Sequence, residues 1–203
     1  MSTAQAIRER INAYPAGEPF TPAHFVGLGS RAAIDQTLMR LVKAGCVERI
    51  GHGLYIVAKV GRFGVKAQPS PEKVALAVAK AEGASIEVHG AEAARRFGLT
   101  TQMPAHATFY TDGSSRRIRV GKLIIQLQHV APRKLILAGR PAGQAMSALW
   151  YLGRGQVTSC TFRHIAKKLS PTEFQALQEA KAAMPAWMAQ ALSRYEQEAL
   201  SYA

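Results

Sequence analysis

The sequence predicts an α+β chain, and three observations predict it. Residues 30–57 read as a helix, a glycine stop and a glycine-tipped hairpin; residues 106–130 read as a run of antiparallel strands; amphipathic helices with clear caps flank both. A hydrophobic content of 48% is enough for a packed core, and 203 residues suit two small domains slightly better than one large one. The expected division is a head over residues 1–57, a linker over 58–70, and a mixed helix and antiparallel-sheet domain over 71–203.

In chain order, Ser2 or Thr3 caps a first helix to about Ala13, with Ala6, Ile7 and Ile11 inward, and Tyr14-Pro15-Ala16-Gly17 breaks it. Thr21-Pro22 starts a short second helix, an N-cap followed by proline at the first helical position, which stops by Gly27 or Gly29. Ser30 caps the third, whose apolar stripe is Ile34, Leu38, Leu41 and Val42, and Gly45 ends it. Cys46–Ile50 and Leu54–Val57 follow as strands joined across Gly51-His52-Gly53. Helix, glycine stop and hairpin in that order form the second half of a winged helix-turn-helix, whose last helix enters a DNA major groove while the hairpin lies against the backbone.

Beyond the head, Gly61, Gly64 and Pro69 interrupt any periodicity, and Lys59, Arg62 and Lys66 suit a linker or a loop lying on DNA. A helix begins at Ser70-Pro71 with Val74, Val78 and Ala81 inward; Ile86–His89 is a short strand and Ala91–Phe97 a short helix closed by Gly98. His106–Thr111 and Arg116–Val120 flank Asp112-Gly113-Ser114-Ser115 as a hairpin, and Lys122–Val130 adds an adjacent strand. Helices follow near Gly143–Leu152, at Thr158–Lys168, from the capping box Ser170-Pro171-Thr172-Glu173 to Met184, and after Pro185, the last with Trp187, Met188, Leu192 and Tyr195 as core.

At about 100° per residue, the third helix turns Ala32, Gln36, Arg40 and Lys43 away from its apolar stripe, with Arg31 in the first turn. Gln36 can pair bidentately with adenine, and Arg31 or Arg40 with guanine or phosphate. With Ser30 at the cap and Arg49 and His52 in the hairpin, these residues make up the expected DNA-binding set. Tyr55 is expected in the core or on a phosphate. Leu54 and Ile56 are not expected both to face inward, so one of them is assigned to the second domain or to an edge.

These residues resemble the AbiEi-type antitoxins of type IV toxin–antitoxin systems, through SRAAIDQTLMRLVKAGCVERIGHGLY in the head. The likeness continues through VALAVAKAEGASIEVHGAEAARRFGLTTQMPAHATFYTDGSSRRIRVGKLIIQLQH and, more weakly, to Ala186-Trp187. Its most specific part runs from Gly98-Leu99 through Gln102-Met103-Pro104 to Thr111-Asp112-Gly113. The resemblance implies a repressor of its own operon that binds operator repeats in double-stranded DNA. It also implies an antidote to a nucleotidyltransferase-like toxin, acting on it functionally and not necessarily by complex formation. It carries over no catalytic residue.

The charge fits such a partner. The net charge is +13, and it is unevenly placed: 9 basic against 4 acidic residues over 1–70, 15 against 5 over 71–169, and 2 against 4 over 170–203. Arg116, Arg117, Arg119 and Lys122 form the densest basic run of the second domain, suited to a second nucleic-acid surface or to a charged edge strand. Arg95-Arg96 and Arg133-Lys134 raise the same question more weakly. A rival reading makes the chain an interaction protein whose basic second domain grips RNA or an acidic partner.

No enzyme is expected. The six histidines are scattered without HExxH, and neither a P-loop nor GxSxG occurs. A metal-dependent nuclease needs clustered carboxylates, and Glu87 and Asp112 stand alone where Gln126 and Gln128 occupy the best strand. No metal site or cofactor is expected. Cys46 and Cys160 have no partner spacing and read as small buried residues in a reducing compartment. With neither a signal-peptide h-region nor a membrane-length apolar run, the expected location is cytoplasmic, away from membranes.

Overall fold

The computed structural model describes residues 2–58 and 69–201. The chain is α+β, with eight α-helices and seven strands among the described residues. It forms two compact units, Met1–Ala84 with Arg117–Ile125, and Ser85–Arg116 with Gln126–Ala203. Most of the expected 58–70 linker, with Lys59, Arg62 and Lys66, lies outside the described residues.

The first unit opens with helix α1 (Thr3–Asn12), capped by the Ser2 side chain, which accepts from the Gln5 N–H. Strand β1 (Pro19–Phe20) and a 3-10 turn (Pro22–Phe25) lead to helix α2 (Arg31–Lys43). Strands β2 (Val47–Gly51) and β3 (Leu54–Val57) then complete an antiparallel sheet in the order β1-β3-β2. Ile7, Ile11, Phe20, Phe25, Ile34, Leu38, Leu41, Val47 and Tyr55 make one core, with Val42 packed partly buried against it. Burying each large member contributes about 1.5–3 kcal/mol. The Phe20 and Tyr55 rings stack at 5.9 Å, which places Tyr55 in the core. A Cβ on Gly29 would fall 2.5 Å from the Thr3 side chain, so glycine lets α1 close on the turn into α2. Helix α3 (Pro71–Ala81), capped by Ser70, belongs to the same unit and is tied to it by the Lys73–Glu18 ion pair.

Leu54 and Ile56 are both buried, contrary to the expectation from sequence. Residues two apart on a strand share a face, and β3 is the middle strand of its sheet. Tyr55 therefore faces the core of the head while Leu54 and Ile56 share the opposite face.

The second sheet runs β4 (Ile86–Val88), β5 (Ala107–Thr111), β7 (Leu123–His129), β6 (Arg116–Val120), with β4 and β5 antiparallel. This corrects the expected β5–β6 hairpin: β7 inserts between them, and the tight turn is Gly121-Lys122, with Gly121 at φ +58°. The Asp112–Ser115 segment instead wraps the end of β7. The His129 N–H donates to Ser115 Oγ at 2.8 Å, its ring lies 2.9 Å from the Gly113 carbonyl, and Asp112 accepts from the Ser85 N–H at 2.8 Å.

Helices α4 (Gly90–Arg96), α5 (Pro141–Leu152), α6 (Ser159–Ala166), α7 (Pro171–Glu179) and α8 (Ala186–Ser201) complete the second unit. Two glycines set its closest approaches. A Cβ on Gly90 would meet the Ser147 carbonyl oxygen at 2.5 Å, and one on Gly143 would meet the Leu137 carbonyl oxygen at 2.1 Å. Met188 and Leu192 are buried, and the Trp187 and Tyr195 rings pack edge-on against Trp150 and Phe174. Both cysteines are exposed, which corrects their assignment as buried. Cys46 lies just past the C-terminal turn of α2, and Cys160 stands on the side of α6 away from the buried Phe162 and Ile165.

Candidate nucleic-acid interface

Helix α2 is the best-defined element of the candidate site because both ends are specified locally. The Ser30 hydroxyl accepts from the Ala33 N–H at 3.3 Å, so its role is structural capping. At the other end Gly45 adopts φ +71°; its N–H donates to the Val42 carbonyl and the Cys46 N–H to that of Leu41, both at 3.0 Å. This paired closure needs the left-handed conformation that glycine takes without a Cβ penalty.

Between those ends Ile34, Thr37, Leu38 and Leu41 are buried, and Arg31, Ala32, Gln36, Arg40 and Lys43 are exposed. The expected face is thus presented as one surface. Sequence reasoning passed over two of its members. Met39 is 59% exposed on the same side and can offer an apolar contact of the kind a thymine methyl accepts. Asp35 holds Arg31 in an ion pair at 2.9 Å, which orients that guanidinium and offsets its charge. The i, i+4 spacing of Arg31 and Asp35 was the available signal.

The β2–β3 hairpin carries the other expected contacts. A register shift lies between Arg49 and Gly51, and Arg49 Nε donates to the Gly51 carbonyl at 3.2 Å, folding this side chain back on its own strand. His52 is exposed at the tip, beside Gly53 at φ +64°.

The basic run of β6 divides by alternation. Arg117 and Arg119 are exposed on one face, while Arg116 is half-buried on the other with Ile118 and the buried Val120. Lys122 is exposed at the β6–β7 turn. Arg117, Arg119 and Lys122 belong to the same compact unit as α2 and its hairpin, and Arg116 does not. Within that unit Gly51 and the Arg119 backbone approach closely: a Cβ on Gly51 would lie 3.1 Å from the Arg119 carbonyl oxygen. The structure therefore brings together two regions that the sequence separates by about 60 positions.

Several basic residues of the second unit are held by neighbours, while Arg154, Lys167, Lys168 and Arg194 are exposed. Arg95 makes two hydrogen bonds to Glu92, at 2.7 and 2.8 Å, and Arg96 makes a third at 3.1 Å. Hydrogen bonding from Arg95, reinforced by Arg96, holds the Glu92 carboxyl below its usual range against the opposing effect of burial. Arg140 bonds Glu173, Arg163 bonds Glu198, and Lys181 bonds Glu196. Arg133 and Lys134 lie over the Trp150 ring, 5.3 and 5.2 Å from its centroid. The backbone N–H of Ala142, then Arg140, lowers the Glu173 carboxyl likewise.

Glu87 is buried and accepts from the N–H groups of Val88 and Gly139, at 2.7 and 3.0 Å. With Asp112 bound to the Ser85 N–H, the two carboxylates a nuclease reading would use are both engaged with backbone. No group of three or more His, Cys, Asp or Glu side chains suited to a metal ion occurs among the described residues. No helix of the described residues is long and apolar enough to cross a membrane.

Comparison with curated proteins and with solved structures finds no match. A family model does match, over residues 6–177, which takes in the head, both sheets and the helices through most of α7. On that extent the chain belongs to the family of unknown function DUF6088.

Proposed function

We propose that the chain is a sequence-specific DNA-binding repressor whose first unit is a winged helix-turn-helix. The observation that carries this reading is the outward face of α2, where Ala32, Gln36, Met39, Arg40 and Lys43 stand exposed beside a glycine-tipped hairpin. The element order and the β1-β3-β2 sheet suit a helix presented to a major groove with a wing beside it. Ala32 permits close approach to base edges, Gln36 offers a bidentate pair for adenine, and Arg40 and Lys43 supply guanine or phosphate contacts.

One such head reads few base pairs, so useful specificity calls for a second contact or a second copy on repeated half-sites. Arg117, Arg119 and Lys122 are the proposed second contact. Together with the resemblance to AbiEi-type antitoxins, this favours an autoregulating repressor paired with a nucleotidyltransferase-like toxin.

The test is fluorescence anisotropy with the chain's own upstream DNA and a scrambled duplex, at several salt concentrations. Preference for the native duplex that survives near-physiological salt is the expected result. Equal and steeply salt-dependent binding to both would reduce the interaction to the +13 charge and overturn sequence reading.

A further inference from the structure

The first unit contains a cleft of about 590 Å³ that the DNA-binding reading does not use. It lies between the segment Tyr14–Val26 and the last turns of α3, which contribute Ala77, Lys80 and Ala81. Its volume falls within the range of sites that enclose small organic molecules, roughly 300–1,000 Å³.

The walls combine apolar rings with basic groups. Tyr14 meets the His24 ring edge-on at 4.9 Å and the Phe20 ring at 5.2 Å, and its hydroxyl donates to the Pro19 carbonyl at 3.4 Å. Val26, 75% exposed, adds apolar surface at the rim. Lys80 lines the opposite wall, and Arg10 reaches the His24 carbonyl at 3.3 Å. Glu18 also lines the cleft, but its carboxylate is engaged by Lys73. Burial, followed by the charges of Arg10 and Lys80, pushes the His24 imidazole below its ordinary range, and burial, followed by the charge of Glu18, pushes the Tyr14 hydroxyl above its own.

We propose that this cleft binds a small aromatic carboxylate, its ring against Tyr14, His24 and Val26 and its charge toward Lys80. Lys80 is exposed at the cleft wall with no ion pair among the described residues, and the Glu18 carboxylate is held by Lys73, so an anion finds an uncommitted ammonium there that would disfavour a cation. The bound molecule would touch the chain immediately before α2, at Ala23, His24 and Val26. Binding at this cleft does not depend on DNA recognition.

The experiment is an NMR titration of the full-length protein, following the His24 ring signals (assigned with His24→Gln) on addition of benzoate. Benzamidine, of the same shape and opposite charge, serves as the control. A saturable shift with benzoate and none with benzamidine is expected. Lys80→Glu should weaken benzoate by about tenfold or more through charge reversal, and Ala77→Phe should block the cleft without altering its charge. Absence of a saturable shift up to about 10 mM benzoate, the weak limit for a site of this kind, would overturn the proposal. So would equal response to benzamidine, or benzoate affinity unchanged in Lys80→Glu.

Discussion

In the first unit Arg31 and Lys73 hold carboxylates while Arg40, Lys43, Arg117, Arg119 and Lys122 are exposed, with no ion pair among the described residues; in the second more of the cations are committed, Arg95, Arg140, Arg163 and Lys181 to carboxylates and Arg133 and Lys134 to Trp150, with Arg154, Lys167, Lys168 and Arg194 left exposed. Counted along the sequence, the excess falls on residues 71–169, with 15 basic against 5 acidic residues; counted by unit it is larger in the first, 14 against 6, than in the second, 12 against 7. Charge excess measures long-range attraction, whereas contact with a phosphate needs a cation not already committed to a neighbour. Part of the excess counted with the second region also sits on Arg117, Arg119 and Lys122, which the fold assigns to the first unit.

The contrast can be broken most severely through Gly143. Gly143→Ala drives a Cβ into the Leu137 carbonyl oxygen and is expected to cost about 3 kcal/mol of stability, read as a lowered urea midpoint. If DNA affinity follows that loss in conditions where the variant remains folded, the second unit takes part in binding. Next in size, Arg40→Ala combined with Lys43→Ala should weaken operator binding by about tenfold or more and flatten the salt dependence by about two phosphate contacts, by anisotropy across a salt series. An unchanged slope would remove this helix from the interface.

Asp35→Asn should tighten DNA binding by about two- to threefold, because it frees Arg31 and deletes a negative charge beside phosphates. Glu173 gives a pH test confined to the second unit. Its folded-state pKa is depressed, so its contribution is present above the ordinary carboxylate value of 4.5 and is lost as the pH falls through the lower folded value. Thermal melts of Glu173→Gln should be less stable than the parent at neutral pH and converge with it at low pH, while DNA affinity at neutral pH is unaltered. Smallest of all, Arg95→Ala should leave both DNA affinity and salt slope unchanged, since that guanidinium is committed to Glu92. A fall in slope of about one contact would show that pairing does not withdraw a cation from the interface.

Helices were legible where a few adjacent residues decide the outcome. Ser30, Ser70 and Ser170 all cap as their spacing suggests, and Gly45 closes α2 in the expected way. Strand order was not legible. Asp112-Gly113 has the chemistry of a hairpin turn, but whether β5 pairs with β6 or β7 depends on burial across the whole sheet. The β1 strand, Pro19–Phe20, is too short to carry any periodicity. In the candidate site, the exposed face of α2 followed from its 3.6-residue repeat. Asp35 and the Glu92–Arg95–Arg96 cluster show the same local spacing rule, which a count of net charge obscures.

The first unit is discontinuous in the chain, since Arg117–Ile125 joins Met1–Ala84. On the ribosome this has a definite consequence. A nascent chain that has emerged as far as α3 holds all of α2 and its hairpin but lacks the strand whose Arg119 carbonyl approaches Gly51. The unit is complete only after β4, α4 and β5 have also been made. A premature stop between positions 84 and 117 therefore yields a head without its second basic hairpin. Retention of DNA binding along a ladder of truncations should change in a step as residues 117–125 are added.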